Sequence, residues 1–183
     1  MIARKSTLIF SFNLFSALLG YVGLFFVVRY MGATPLGIVG FGIAYVTMFS
    51  FIADLGFGGA HIKRVSEGKD LGICIATYAR IKILLTVIMA CVIIGSIIFW
   101  KYVLGRGFES TLHECVLYIA LFYIIFYTFS SFFLYTFSAR QETAKFQIPY
   151  FAEALSKVTV TIVIAVFAFG VLALAFSYVL GSL

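Results

Sequence analysis

Five stretches of this chain run for eighteen or more residues without a charge: 6–28, 30–53, 83–100, 115–139 and 158–183. A helix needs about 18 to 20 apolar residues to cross the hydrocarbon of a bilayer, and core helices of water-soluble domains rarely carry such runs. The composition agrees: 63% hydrophobic and 11% charged, with a mean hydropathy of +1.14, against about half apolar and a quarter charged in a soluble domain. The runs are continuous, whereas strands of an outer-membrane barrel are short and alternating. Because lipid offers the backbone no hydrogen-bond partner, the expected class is an all-α integral membrane protein of about five transmembrane helices.

Punctuation places the spans at 7–29, 35–57, 82–104, 114–138 and 157–181, in a single polytopic membrane domain covering 1–183. Met31, Gly32, Ala33 and Thr34 form a short turn before Pro35, which suits the first turn of a helix. Gly56, Gly58 and Gly59 close the second span, and Asp70 is placed to cap the third helix. Pro149 is expected to open the fifth helix, with 149–157 protruding from the membrane.

The basic residues set an orientation. Arg4, Lys5, Lys63, Arg64, Lys69, Arg80, Lys82, Arg140, Lys145 and Lys157 fall on one side of these spans, and only Arg29, Lys101 and Arg106 on the other. The positive-inside rule then puts the N-terminus in the cytoplasm and the protein in the cytoplasmic membrane. The net charge of +6 is thereby topological, with anionic lipid as its counter-ion and no nucleic acid implied. The first apolar stretch is too long for a cleaved signal core and reads as an anchor.

The same survey argues against an enzyme. Cys74, Cys91 and Cys115 are scattered and suggest neither a disulfide nor a metal site. His61 and His113 fall in loops on opposite sides, and no serine has a histidine base. Gly37, Gly40 and Gly42 lie inside a span without a preceding strand, so they form no dinucleotide fingerprint. No cofactor is implied.

What remains is polar or aromatic text inside the membrane. Ser16, Gly20 and Gly23, and likewise Gly37, Gly40 and Ala44, line single helix faces where a neighbour can approach closely. Asn13, about 10 Å into the first span, needs either a hydrogen-bond partner on another helix or a wet cavity. Asp54 falls near the cytoplasmic interface, solvated or paired with Lys or Arg, and Arg29 can snorkel to headgroups or face a cavity. Arg80 and Lys82 flank the third apolar block as anchors, or meet a diphosphate from the cytoplasmic leaflet. Tyr118, Phe122, Phe126, Phe129, Phe133 and Phe137 form an aromatic stripe, either packing against lipid and helices or making a slot for a polyprenyl tail, while Tyr123, Tyr127 and Tyr135 offer hydroxyls to sugars.

Three segments are familiar. Val28-Arg29-Tyr30-Met31-Gly32-Ala33-Thr34-Pro35-Leu36-Gly37 resembles the helix 1–2 junction of polysaccharide-biosynthesis flippases. Phe51-Ile52-Ala53-Asp54-Leu55-Gly56-Phe57-Gly58-Gly59-Ala60, followed by Lys63 and Arg64, resembles their second-helix end, and Ser138-Ala139-Arg140-Gln141-Glu142-Thr143-Ala144-Lys145-Phe146 the loop before their fifth helix. The resemblance is to Wzx-like O-antigen and oligosaccharide flippases of the multidrug/oligosaccharidyl-lipid/polysaccharide exporter superfamily, and to their N-terminal portion. It implies most of a first six-helix lobe, alternating access, and membrane lipid and polyprenyl-diphosphate-linked oligosaccharide as partners. The motif positions carried over are Arg29, Gly32, Pro35, Gly37, Asp54 and Gly56, and the substrate-cavity candidates are Asn13, Arg29 and Arg80.

The chain departs from that family in supplying no second lobe, and it ends at Leu183 directly after an apolar run. It is therefore expected to be a fragment, or to work with a separate second half or other glycan-biosynthesis machinery. The alternatives are a cation-coupled multidrug exporter of the same superfamily, which requires a buried, titrating Asp54, and a small structural membrane protein that assembles with a partner.

Overall fold

The computed structural model describes residues 2–103, 105, 108, 110–140 and 143–181, with side chains left aside at 2–6 and 143–146. Arg106, Leu104 at the end of the third expected span, Gln141 and Glu142 of the loop motif, and the terminal Ser182 and Leu183 lie outside the described residues. Among the described residues seven α-helices follow one another: α1 (Ile2–Met31), α2 (Ala33–Thr47), α3 (Phe57–Ser66), α4 (Leu71–Ile98), α5 (Thr111–Ala139), α6 (Thr143–Val166) and α7 (Val171–Gly181). A 3-10 turn (Ser50–Ala53) joins α2 to α3, and a π-turn (Phe99–Val103) ends α4. The described residues are helix and connection throughout, with no strand.

Four segments are long and apolar enough to cross a bilayer: Thr7–Met31, Leu71–Val103, Thr111–Ala139 and Gln147–Val166. A fifth crossing is available if Ala33–Thr47 and Ser50–Ser66 count as one span, bent by 44°. The expected second span, 35–57, is therefore not a straight helix. Its α-helix ends at Thr47 and the bend falls before the 3-10 turn at Ser50; further on, Leu55 (φ +43°) and Gly56 (φ +82°) enter the left-handed region, which an L-residue such as Leu55 adopts only at a cost of about 1–2 kcal/mol. The turn expected at 31–34 shrinks to one residue, since Met31 ends α1 and Ala33 begins α2 around Gly32 at φ +85°. Pro35 lies in the first turn of α2, where its missing N–H costs nothing.

The fifth expected span, 157–181, is two helices. The chain turns at 167–170, with Ala168 at φ +51° and Gly170 at φ +96°, and α7 folds back on α6. Thr161 Oγ1 donates to Ser177 Oγ at 3.1 Å, deep in that contact. An unbroken apolar run hides such a turn, because neither charge nor proline marks it and Gly170 is its sole sequence signal. Pro149 does not open a helix either: α6 begins at Thr143 and holds Pro149 within it. Asp70 does cap α4, its Oδ1 accepting from Ile73 N at 2.9 Å.

Contacts fix the helix directions. Helices α1 and α6 run parallel, with Phe12 edge-on to Phe151 and Gly23 against Val158. Helix α4 is antiparallel to the α2–α3 segment, since Tyr45 shares a hydrogen bond with Ser96 near one end and His61 stacks on Tyr78 near the other. Thus one end of the bundle gathers the end of α3, both ends of the Ser66–Leu71 connection and the end of α5, with Ser66 Oγ donating to Ala139 O at 3.3 Å. Lys63, Arg64 and Lys69 all lie there. Arg29 and Lys101 lie toward the other end, where Lys101 Nζ donates to both oxygens of Glu114 at 2.8 and 3.0 Å.

Helix α5 is the central element, because it contributes to both apolar cores. Val116 and Ile119 pack with Val27, Val39, Ala165 and Leu174, while Leu117, Ala120 and Ile124 pack with Val46, Met89 and Ile93. Lipid tails are as apolar as these side chains, so the cores are held by close packing rather than by exclusion of water. The small-residue seams are used only in part. A Cβ at Gly23 would stand 3.5 Å from Val158, in ordinary contact, but Gly20, Gly37 and Gly40 have open space around them, and the tight approach is at Gly42, where a Cβ would stand 2.7 Å from Val116.

Gly42→Leu is accordingly expected to lower stability by about 1–3 kcal/mol through overpacking, whereas Gly40→Ala should stay within about 0.5 kcal/mol. Thermal unfolding of the detergent-solubilised protein reads both, and equal losses would show that α2 does not dock on α5 through Gly42.

Candidate functional site

At the break in the second apolar segment, Asp54 faces Lys82 of α4, with Oδ1 and Nζ 3.5 Å apart. Lys82 is 4% exposed, and an ammonium at such a site is tolerated only with a counter-charge. Gly58 makes the approach possible, because a Cβ there would stand 2.9 Å from both Asp54 Oδ1 and the Tyr135 ring. The Tyr135 ring also takes the ammonium on its face at 5.8 Å. One turn earlier on α4, Tyr78 is sandwiched between His61 and Phe132, with ring centroids 4.4 and 5.4 Å apart, and His61 Nε2 shares a hydrogen bond with Thr136 Oγ1 at 3.0 Å. Neither histidine lies in a loop: His61 is a buried residue of α3, and His113 belongs to the first turn of α5.

The pair opens onto a chamber of about 210 Å³ that Ser50, Thr128, Ser131, Tyr127 and Tyr150 line with hydroxyls. Tyr127 and Tyr150 line both spaces and together form the wall toward a larger groove of about 560 Å³ between α1 and α6. That groove is lined by Asn13, Ser16 and Gly20 from α1 and by Gln147, Glu153 and Lys157 from α6. On the other flank of α6, a cavity of about 370 Å³ runs between Glu153, Ser130 and the aromatic rings of Phe133 and Phe137. Tyr150 borders all three spaces. The Lys157 ammonium lies 3.7 Å from the centre of the Tyr178 ring, which holds it within the bundle.

The site candidates taken from the sequence are thus partly brought together. Asn13 lines the groove opposite Glu153 and Lys157, and Asp54 lies in the chamber beyond its wall. Arg29 is exposed, about 13 Å further along α1 than Gly20. Arg80 is exposed as well, and Lys82 takes the interior position instead, because residues two apart on a helix lie on nearly opposite faces. Of the motif positions, Gly32 and Gly56 supply left-handed turns and Pro35 the first turn of α2, and Gly37 is open. In the aromatic stripe, Tyr118, Phe122, Phe126, Phe129 and Phe133 share an exposed face of α5, and only Phe133 and Phe137 reach the cavity beside Glu153.

Sequence reasoning missed the polar face of α6. Gln147, Tyr150, Glu153 and Lys157 follow at intervals of three, three and four, a single helical stripe. Lys157 counted only as a charge at a span end, and the segment before it as a protrusion. In the structure Gln147–Val166 is long and apolar enough to cross a bilayer, and that stripe faces the interior cavities. No group of three metal-ligating side chains occurs among the described residues.

Removing one partner of the Asp54–Lys82 pair strands the other. Asp54→Asn and Lys82→Met are each expected to destabilise by about 3 kcal/mol, the low end for buried pairs because the Asp54 side chain is 34% exposed. The double variant should lose less than either single one. A double-mutant cycle on thermal unfolding checks this, and strict additivity would rule out the coupling.

Residues 2–183 match the family model described as polysaccharide biosynthesis protein. Over 100 residues the chain is 34% identical to a probable low-salt glycan biosynthesis flippase of Haloferax volcanii, a match that covers 55% of this chain and 20% of that protein. No solved structure matches the chain.

Proposed function

This chain belongs to the polysaccharide biosynthesis protein family, and on that premise we propose that it forms the N-terminal part of a flippase for lipid-linked oligosaccharide. Its substrate class is a polyprenyl-diphosphate-linked glycan, moved across the cytoplasmic membrane with the N-terminus of the chain on the cytoplasmic side. Because the chain spans only a fifth of the curated relative it matches, the carrier is completed by further helices, in the same polypeptide or in a separate half. It is a transporter and catalyses no bond change.

The observation that carries this reading is the polar stripe of α6, placed in an apolar helix and bordered by cavities on both flanks. A glycan needs hydroxyl, amide and carboxylate partners inside the membrane, and Asn13, Gln147, Tyr127, Tyr150 and Glu153 supply them. The diphosphate needs a cation, and Lys157 lines the groove, whereas Lys82 in the chamber behind it is paired with Asp54. The apolar tail needs no enclosure, since lipid itself solvates it, and Phe133 and Phe137 border the opening through which it would trail. For drug export coupled to a cation, Asp54 would have to be a free acid, but its carboxylate is committed to Lys82.

The full gene, supplied to a host lacking its own flippase, is expected to restore surface polysaccharide. Lys157→Met, which keeps length and removes charge, should cut that restoration at least ten-fold while membrane abundance stays normal, and Lys63→Gln at the exposed end should leave it intact. Failure of the unsubstituted full gene would sink the assignment, and indifference to Lys157→Met would remove the groove from it.

A further inference from the structure

A cavity of about 330 Å³ lies between α3 and α4 near the basic end of the bundle. Its lining is Phe57, Ala60, His61 and Arg64 from α3 and Cys74, Thr77, Tyr78 and Ile81 from α4. The floor is built: Tyr78 and Cys74 are buried, and His61 is stacked on Tyr78 and tied by its Nε2 to Thr136 of α5. The other interior spaces carry a carboxylate or a run of hydroxyls, whereas here Arg64 is the sole charged residue in the lining.

The charge around the mouth has a positive surplus. Lys63 and Lys69 share Glu67, at 4.0 and 3.8 Å, and Asp70 is occupied as the cap of α4. Arg64 and Arg80 are exposed and have no carboxylate within ion-pair distance among the described residues. An apolar slot with an unmatched guanidinium at its entrance fits a ligand with an acyl chain at one end and a negative group at the other. A helix bundle in a bilayer is surrounded by such molecules, and basic pockets between helices are where acidic headgroups settle.

We propose that the cavity between α3 and α4 is a binding site for an anionic phospholipid of the leaflet at this end. The Arg64 guanidinium takes the phosphate through paired N–H donors, and the first carbons of one acyl chain lie along Ala60, Phe57 and Ile81. A zwitterionic lipid has the same phosphate, but its ammonium would meet the positive charge of Arg64. Occupancy would brace α3 against α4. It would thereby steady the bent segment whose turn holds Asp54, because the floor residue Tyr78 lies one helical turn from Lys82. The site is independent of the glycan groove and of what that groove carries.

The test uses the full-length protein in nanodiscs of mixed phosphatidylglycerol and phosphatidylcholine, with the lipids it retains on release counted by native mass spectrometry. Phosphatidylglycerol is expected to be enriched on the unsubstituted protein. Arg64→Gln should lower its apparent affinity about five-fold, which is about 1 kcal/mol for one basic residue near the surface. Ala60→Phe, which fills the slot and leaves Arg64 in place, should abolish the enrichment, while Lys63→Gln should preserve most of it. Arg64 and Ala60 are both exposed, so each variant is expected to fold, and an unchanged gel-filtration profile checks this. Equal retention of the two lipids by the unsubstituted protein, or undiminished enrichment in Ala60→Phe, would overturn the proposal.

Discussion

A lysine ammonium that is nearly closed off from the surface has to be answered by a carboxylate, and in this chain that demand shapes the second apolar segment. Lys82 projects from a regular helix, so its position is set by α4. Asp54 reaches it only because the backbone leaves the helical path at Leu55 and Gly56 and because Gly58 has no side chain to block the approach. The 44° bend of the second apolar segment lies just before this turn, between Thr47 and Ser50. With α3 turned aside, His61 comes onto Tyr78 and Thr136, which ties the bent piece to α4 and α5 together. In a bilayer core such an arrangement is retained because the alternatives are worse: either charge alone in hydrocarbon costs more than a strained turn.

Around this pair the bundle sorts polarity inward and lipid-like surface outward. Helix α5 carries both habits along one length: Leu117, Ala120 and Ile124 are buried in one apolar core, Tyr127 and Ser131 face the chamber, and Phe122, Phe126 and Phe129 face out. Helix α6 adds the remaining polar groups on one stripe, and Tyr150 is the side chain on which chamber, groove and lateral cavity converge. A protein that moves a sugar through lipid needs such an interior, since each hydroxyl stripped of water must find a partner on the way.

Much of this was legible in the residues, and the illegible parts share a cause. Composition and run length are averages over twenty residues, so the all-helical membrane class follows from them directly, and Asp70 and Pro35 mark helix starts by local chemistry. A break inside an apolar run is different: residues 167–170 are Phe, Ala, Phe and Gly, and a lone glycine, which helices also tolerate, is all that distinguishes a reversal from a continuing helix. The interior position of Lys82 rather than Arg80 was hidden for a related reason. Both are cations beside an apolar block, and which of two residues about 200° apart faces the interior depends on how the helix is rotated against its neighbours. The α6 stripe was visible as a periodicity, but counting Lys157 only as a span-end charge hid it.

The sequence by itself determined that this chain lives in lipid, that it is helical, and that its positive charge is concentrated on one side, because hydropathy and charge are properties of segments. Only the tertiary structure decided which polar side chains meet. Asp54 with Lys82, Tyr150 with Tyr127, Asn13 across from Glu153, and Arg64 over an apolar slot are all pairings between residues distant in the chain or on different helices. They depend on helix rotation, on two left-handed turns and on the room left by a few glycines, and those are set by packing rather than by any single stretch of sequence.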